Sequence, residues 1–335
     1  MRPSYHPEGL FEENKESIPK SNEGILKSIT QLWHLNGRCP EGTIPIRRTK
    51  KKEILRASSI KSFGKKQQGT IPEATMSTQP QSNNQSDHQH AIVNVRGDKY
   101  YGTKATVNVW KPIVQQSNEF SLSQLWIVAG SYPSDLNTIE AGWQVFLDLY
   151  GDNNPRLFNY WTRDAYQSTG CYNLRCAGFV QTSNKMALGG TISPVSAYGA
   201  SQYEINFLVW KDTTRGAWWL QFGNEVVGYW PTSLFSYLAD SASQIQWGGE
   251  VLNYASGGQH TTTQMGSGHF PEEGFGKASY IKNIQTVDGS NNLRSPIRVS
   301  TLAEKSNCYN VQMGNDRDWG NYIYYGGPGR NPNCP

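Results

Sequence analysis

This chain is poor in the signatures that usually announce a function. Only 5 of its 335 residues are methionine, and no run of about 18 apolar residues occurs, so no helical membrane span is expected. The opening Met1-Arg2-Pro3-Ser4-Tyr5-His6 is polar, and the first thirty residues contain no signal-peptide apolar core. There is no G-x-S-x-G elbow, H-E-x-x-H pair, P-loop or dinucleotide fingerprint, and neither Asp-Thr-Gly nor Asp-Ser-Gly occurs. Those absences remove the usual grounds for a serine hydrolase, a zincin, a nucleotide enzyme or a pepsin-like aspartic dyad. No C-x-x-C exists, and His88 and His90 have no cysteine near them, so neither a metal nor a cofactor is expected. Both histidines lie in linker-like composition and read as solvated. Gly266-Ser267-Gly268-His269 matches no nucleophile spacing and reads as a glycine-rich loop.

What the chain has in quantity is 11 Trp, 18 Tyr and 33 Gly, a composition that favours a β domain with many turns. Tyr203, Ile205, Phe207 and Val209 alternate along one strand, as do the residues of Thr106-Val107-Asn108-Val109-Trp110. Trp218, Leu220 and Phe222 share a face, and Gly223-Asn224 supplies a hairpin turn before Glu225-Val226-Val227. Further turn signals at Asp152-Asn153-Asn154-Pro155, Asp288-Gly289-Ser290 and Gly326-Gly327-Pro328-Gly329 complete an all-β pattern, a sandwich or barrel-like body.

The N-terminal part differs. Ile25, Leu26, Ile29, Leu32 and Trp33 recur at helical spacing, and Ile54, Leu55 and Ile60 suggest a second short helix. From Gly64 to Gln89 the composition turns to Gln, Ser, Asn, Thr and Pro, which cannot bury enough surface to order itself. The boundary is therefore placed near Ser86, giving a first segment of residues 1–85 and a body of residues 86–335. The segment carries 14 basic against 8 acidic residues and the body 17 against 19, so the overall +4 hides a basic cover and a slightly acidic body. An acidic body argues against nucleic acid as partner; a basic segment folded on an acidic partner in the same chain accounts for the asymmetry.

Cys39 stands alone, and the body holds Cys171, Cys176, Cys308 and Cys334. Four cysteines permit three connectivities. Local pairing, Cys171–Cys176 and Cys308–Cys334, closes two short loops and is the expectation; disulfides would mean an oxidising compartment.

Two carboxylates remain as candidates for chemistry. Asn137-Thr138-Ile139-Glu140-Ala141-Gly142-Trp143 and Gln246-Trp247-Gly248-Gly249-Glu250-Val251 each place one glutamate beside glycine and tryptophan in a strand-like stretch. A carboxyl pair is a minimal acid/base device, one ionised partner activating water and one neutral partner donating a proton. Gly142, Gly248 and Gly249 would leave room for a substrate backbone, and Trp143 and Trp247 would form apolar walls that raise a carboxyl's pKa. A lone carboxylate at a solvated sheet edge is the plainer reading of either residue.

These residues carry a resemblance. Cys39-Pro40-Glu41-Gly42-Thr43-Ile44-Pro45-Ile46-Arg47-Arg48 with its lysine run resembles the activation peptide of the plant neprosin family. His90-Ala91-Ile92-Val93, Ile139-Glu140-Ala141-Gly142-Trp143, Cys171-Tyr172-Asn173-Leu174-x-Cys176-x-Gly178-Phe179 and Trp247-Gly248-Gly249-Glu250 are similar to its peptidase domain, in the same order. The resemblance implies an antiparallel β-sandwich of two sheets and a glutamic peptidase cutting after proline at acidic pH. It puts the catalytic pair on Glu140 and Glu250, and two disulfides at Cys171–Cys176 and Cys308–Cys334. Residues 1–85 then become a pro-segment acting as intramolecular inhibitor, with maturation cleavage near Ser86 or at Lys50-Lys51-Lys52. Family members begin with a secretory signal, whereas this chain begins at what resembles the interior of the pro-segment. A secreted monomer (extracellular, apoplastic or vacuolar), its signal missing from this sequence, is the expectation. Asn84-Gln85-Ser86 is the N-x-S/T sequon, weak evidence for glycosylation.

A β-sandwich rich in Trp and Tyr could instead be a cell-wall carbohydrate-binding module, and a carboxyl pair could serve a glycoside hydrolase. A detachable basic cover favours the peptidase, because a protease must be held inactive before export.

Overall fold

The computed structural model describes residues 1–8, 30–57, 59, 63–66, 87–254 and 256–335. They form two large antiparallel sheets packed face to face. The first, six-stranded, runs β15 (Ser300–Ala303), β2 (Asp87–Tyr100), β12 (Ala242–Asn253), β4 (Phe120–Ala129), β5 (Asn137–Phe146), β6 (Arg156–Thr162). The second runs β16 (Asn310–Asp316), β17 (Gly320–Gly326), β13 (Ser279–Val287), β3 (Gly102–Asn108), β9 (Glu204–Asp212), β10 (Ala217–Phe222), β11 (Glu225–Pro231), β7 (Val180–Gln181), with β14 (Leu293–Arg294) beside β13. A short pairing of β1 (Thr30–Gln31) with β8 (Ile192–Ser193) ties the N-terminal segment to the body. The only α-helices among the described residues are single turns, Lys51–Ile54 and Leu147–Tyr150.

Side chains alternate across a strand, so each sheet has two faces with different tasks. Ile205, Phe207 and Val209 of β9 and Trp218, Leu220 and Phe222 of β10 point between the sheets, as their period of two requires. Facing them are Leu125 and Ile127 of β4, Ile139, Trp143 and Val145 of β5, and Ile245 and Trp247 of β12. Gly223-Asn224 turns β10 into β11, with Phe222 opposite Glu225 and Gly223 at φ +58°, which a residue without Cβ adopts freely. Disulfides join Cys171 to Cys176 and Cys308 to Cys334, the local pairing, and Cys39 is free.

The outer faces are not left bare. On the second sheet Trp210 and Trp219 stack with ring centroids 6.3 Å apart under residues 4–6: Trp210 Nε1 donates to the Tyr5 carbonyl and the Ser4 hydroxyl to Asp212. On the first sheet an aromatic cluster of Phe120, Trp126, Phe158, Tyr160, Tyr166 and Tyr172 surrounds polar residues. Residues 63–66 lie against it.

The N-terminal segment departs from two expectations. Leu32 and Trp33 belong to a 3-10 turn, Leu32–Asn36, preceded by β1; Ile25, Leu26 and Ile29 lie outside the described residues, as does Ile60. The linker-like stretch is ordered at both ends, because Gly64–Lys66 pack on the body and Asp87–Gln89 open β2. Its middle, with Ser86 and the sequon, lies outside the described residues.

Candidate active site

The two glutamates meet because of strand register. On β4, Trp126 lies opposite Glu140, Gln124 opposite both Gly142 and Gly248, and Leu122 opposite Glu250. Residues two apart share a face, so Glu140 and Glu250 stand on one side of the six-stranded sheet, flanking Gln124. Both are buried, at 0% and 1% exposure. Gln124 Nε2 donates to Glu140 Oε2 at 3.1 Å, while Tyr166 Oη and Thr138 Oγ1 donate to Oε1 at 2.6 and 3.0 Å.

Glu250 has a different set of neighbours. His88 Nδ1 lies 2.5 Å from its Oε1, and His90 Nε2 lies 3.8 Å from its Oε2. Both histidines come from β2, where His90 is the cross-strand partner of Glu250 and His88 of Leu252. Far from being solvated linker residues, they are 5% and 2% exposed inside a central strand.

Between the two carboxylates sits a lysine from the N-terminal segment. Lys66 Nζ is 3.1 Å from Glu140 Oε2 and 2.9 Å from Glu250 Oε2, which holds those oxygens within about 6 Å of each other. The ammonium lies 5.6 Å from the centroid of the Tyr166 ring. The chain is fixed on approach: Tyr172 N donates to the Gly64 carbonyl at 2.8 Å, Lys66 N to Tyr160 Oη at 3.2 Å, and the Arg175 guanidinium lies 4.1 Å from the Phe63 ring centroid. Further back, Arg47 bonds the buried Glu53 and the Tyr150 carbonyl. A cavity of about 640 Å³ flanks residues 63–66 and is walled by Phe120, Phe146, Tyr166, Tyr172 and Leu252.

The electrostatics follow from this packing. Burial disfavours an ionised Glu250, yet the charge of Lys66, the His88 hydrogen bond and the charge of His90 outweigh it and hold the carboxyl well below its usual range. Burial likewise disfavours the Lys66 ammonium, but Glu140 and Glu250 raise its pKa. Burial pushes the Tyr166 and Tyr172 phenols well up, the carboxylates adding to it, so both stay protonated.

The five residues read from sequence as substrate-binding fall on both faces of the sheet. Trp143 and Trp247 are correctly strand residues but point the other way, into the core. Their indole N–H groups donate to the Asn108 carbonyl and to Thr103 Oγ1 of the second sheet. Each lies three positions from its glutamate, an odd offset that crosses to the opposite face, so they cannot wall the carboxyls. Gly249 also faces inward, where a Cβ would stand 2.7 Å from Met265. Gly142 and Gly248 do share the glutamates' face. The backbone that comes close to them is the sheet's own: a Cβ would meet the Ser123 carbonyl oxygen at 2.0 Å or that of Ala91 at 2.3 Å. Apolar walls are supplied instead by Tyr166, Tyr172, Phe120 and Trp126. Ser267 and His269 form no nucleophile pair, the His269 ring bonding Glu273 at 2.8 Å.

Lys66, His88, His90, Gln124 and Tyr166 were not selected as site residues from sequence. The His-x-His spacing was the one available signal, since a period of two puts both rings on one face of a strand. Lys66 sits in a basic run, and nothing local distinguishes it from Lys65.

A two-sheet β-sandwich whose paired buried carboxylates are bridged by a lysine of its own N-terminal segment is built like an enzyme precursor. Residues 117–328 match the Neprosin family and residues 1–94 match the Neprosin activation peptide. The chain belongs to the neprosin family, a peptidase family, and carries its activation peptide, the segment that delivers Lys66 to the glutamates. Among solved structures, it is similar to scytalido-glutamic peptidase with a transition state analog inhibitor, at 8% identity over 72% of this chain and 98% of that one, with a TM-score of 0.39. It is similar also to SCP-B, of the eqolisin family of peptidases, in complex with the tripeptide Ala-Ile-His, at 10% identity over the same shares and a TM-score of 0.34.

Proposed function

We propose that this protein is the zymogen of a secreted, acid-active glutamic endopeptidase that cuts peptide bonds on the C-terminal side of proline. The observation that carries the reading is the pairing of Glu140 and Glu250, buried on one sheet face and bridged by Lys66 of the activation segment. Preference for proline, acidic working range and export come from the family resemblance.

The surroundings favour one assignment of the roles. Within the body, Glu140 contacts neutral donors, Tyr166, Thr138 and Gln124, whereas Glu250 contacts two imidazoles. Like-charged carboxyls this close share a proton, and it rests on the partner with no cation beside it. Once Lys66 leaves, Glu140 is the acid and Glu250 the base. Glu250 takes a proton from water as the water oxygen bonds the scissile carbonyl carbon. Glu140 donates a hydrogen bond to the carbonyl oxygen as it becomes an oxyanion. Collapse of the tetrahedral species breaks the C–N bond, and the departing amine nitrogen is protonated from the pair.

The test is cleavage of a proline-containing peptide by acidified, processed protein, the cut located by mass spectrometry. Glu140→Gln and Glu250→Gln should each abolish turnover with the melting temperature retained. Substantial activity in either variant refutes the assignment. No cleavage by folded, processed wild type refutes the peptidase reading and makes polysaccharide pull-downs the next measurement.

A further inference from the structure

Lys66 raises a question about the processed enzyme. On cleavage near Ser86, between Lys66 and β2, the lysine leaves while His88 and His90 stay in the sheet, yet at acidic pH a buried carboxyl without a cation is neutral and cannot act as base. The groups facing Glu250 from every side are Lys66 of the pro-segment, His88 and His90 of β2, Glu304 just beyond β15, Glu140 of β5, and the phenols of Tyr166 and Tyr172. Take Lys66 away and the cation-forming groups left in this set are the two imidazoles.

Their geometry is specific. His88 Nδ1 is on Glu250 Oε1 at 2.5 Å, and its Nε2 is buried with no hydrogen-bond partner among the described residues, so the ring's one polar attachment is Glu250. His90 is held from behind: both its backbone N–H, at 2.9 Å, and its Nδ1, at 3.0 Å, meet Glu304 Oε2. That leaves Nε2 directed at Glu250 Oε2, 3.8 Å away on the oxygen that Lys66 also holds. A carboxylate behind an imidazole fixes its tautomer and favours its cation.

We propose that His90, oriented by Glu304, is a positioning residue that succeeds Lys66 as counter-cation and, together with the hydrogen bond from His88, keeps Glu250 ionised in acid. The inference rests on the peptidase reading for its kinetic consequence but not for its electrostatic one. Burial lowers the pKa of His90, whereas Glu304 and then Glu250 raise it, with a net rise, so His90 is charged in the acid range. Loss of an opposite charge at this distance moves a carboxyl by about one unit or more. His88→Gln and His90→Gln should each shift the acidic limb of kcat/KM upward by about one pH unit, and the double variant further. Glu304→Gln should lower the His90 imidazole pKa without removing the ring. Limbs that coincide with wild type in both histidine variants, at unchanged melting temperature, overturn the proposal.

A second readout needs no turnover. In processed protein, ring-nitrogen NMR should find the His90 imidazole titrating about one unit lower in Glu250→Gln than in wild type. Unchanged imidazole titration overturns this inference whatever the activity. Absence of peptide cleavage with coupled titration overturns the peptidase reading alone.

Discussion

Replacing Lys66 by methionine keeps most of the side-chain volume and stem and removes only the ammonium between Glu140 and Glu250. Both carboxylates are then buried against the pro-segment with no bridging cation. Removing one partner of a buried ion pair costs about 3–5 kcal/mol, because the charge left behind is uncompensated. At about 1.4 kcal/mol per tenfold, that raises the displaced fraction of the pro-segment by roughly two to three and a half orders of magnitude. The sign with pH is equally definite. In the closed zymogen Lys66 depresses the Glu250 pKa below the value it has once the lysine has left, so its contribution is complete above that open-state value and fades as pH falls below it. The Lys66 pKa is raised from 10.5, so its contribution is complete below that value and fades only in strong base. The clamp therefore holds through neutral pH and loosens in acid. Wild-type zymogen should keep its pro-segment at pH 6 and lose it increasingly as pH falls into the acid range. Lys66→Met should lose it at pH 6, and acid should no longer accelerate release, because protonation now relieves the uncompensated carboxylates. Gel and mass-spectrometric time courses between pH 3 and 7 measure both. A Lys66→Met zymogen as latent as wild type at pH 6 would mean that anchors such as Arg47, Tyr5 and Gln31 hold the segment without the lysine.

The tryptophans and glycines give sharper checks on placement. Trp247→Ala removes an indole that is fully buried between the sheets and bonded to Thr103, so urea unfolding should report a loss of about 3–5 kcal/mol; a stable variant altered only in substrate preference would return Trp247 to the cleft. Gly142→Ala places a Cβ 2.0 Å from the Ser123 carbonyl oxygen, which must push β4 and β5 apart beside Gln124. Peptide cleavage should fall at least tenfold in that variant, and full activity would show that the spacing around Gln124 is not needed.

Much of this was legible without coordinates wherever the information is local. A period of two is a property of the strand itself, so Ile205, Phe207 and Val209, or Trp218, Leu220 and Phe222, could be assigned to one face before their partners were known. Gly223-Asn224 likewise carries its own turn, and the cysteine spacing carries the two short loops. The same alternation, applied over an odd offset of three residues, separates Glu140 from Trp143 and Glu250 from Trp247. The tryptophans are therefore close to the glutamates in sequence but on the other side of the sheet in space.

The amino-acid sequence by itself determined an all-β body, its turns and the candidacy of Glu140 and Glu250, because each follows from residue type and short-range period; that the body is two sheets came from the family resemblance. Only the tertiary structure decided that β5 and β12 flank β4 in a register that sets both carboxyls beside Gln124. It also decided that a lysine 74 positions before one glutamate and 184 before the other bridges them, and that His88 and His90 stand behind Glu250. Those are contacts between segments distant in the chain, and their charges interact through space, so no local pattern records them.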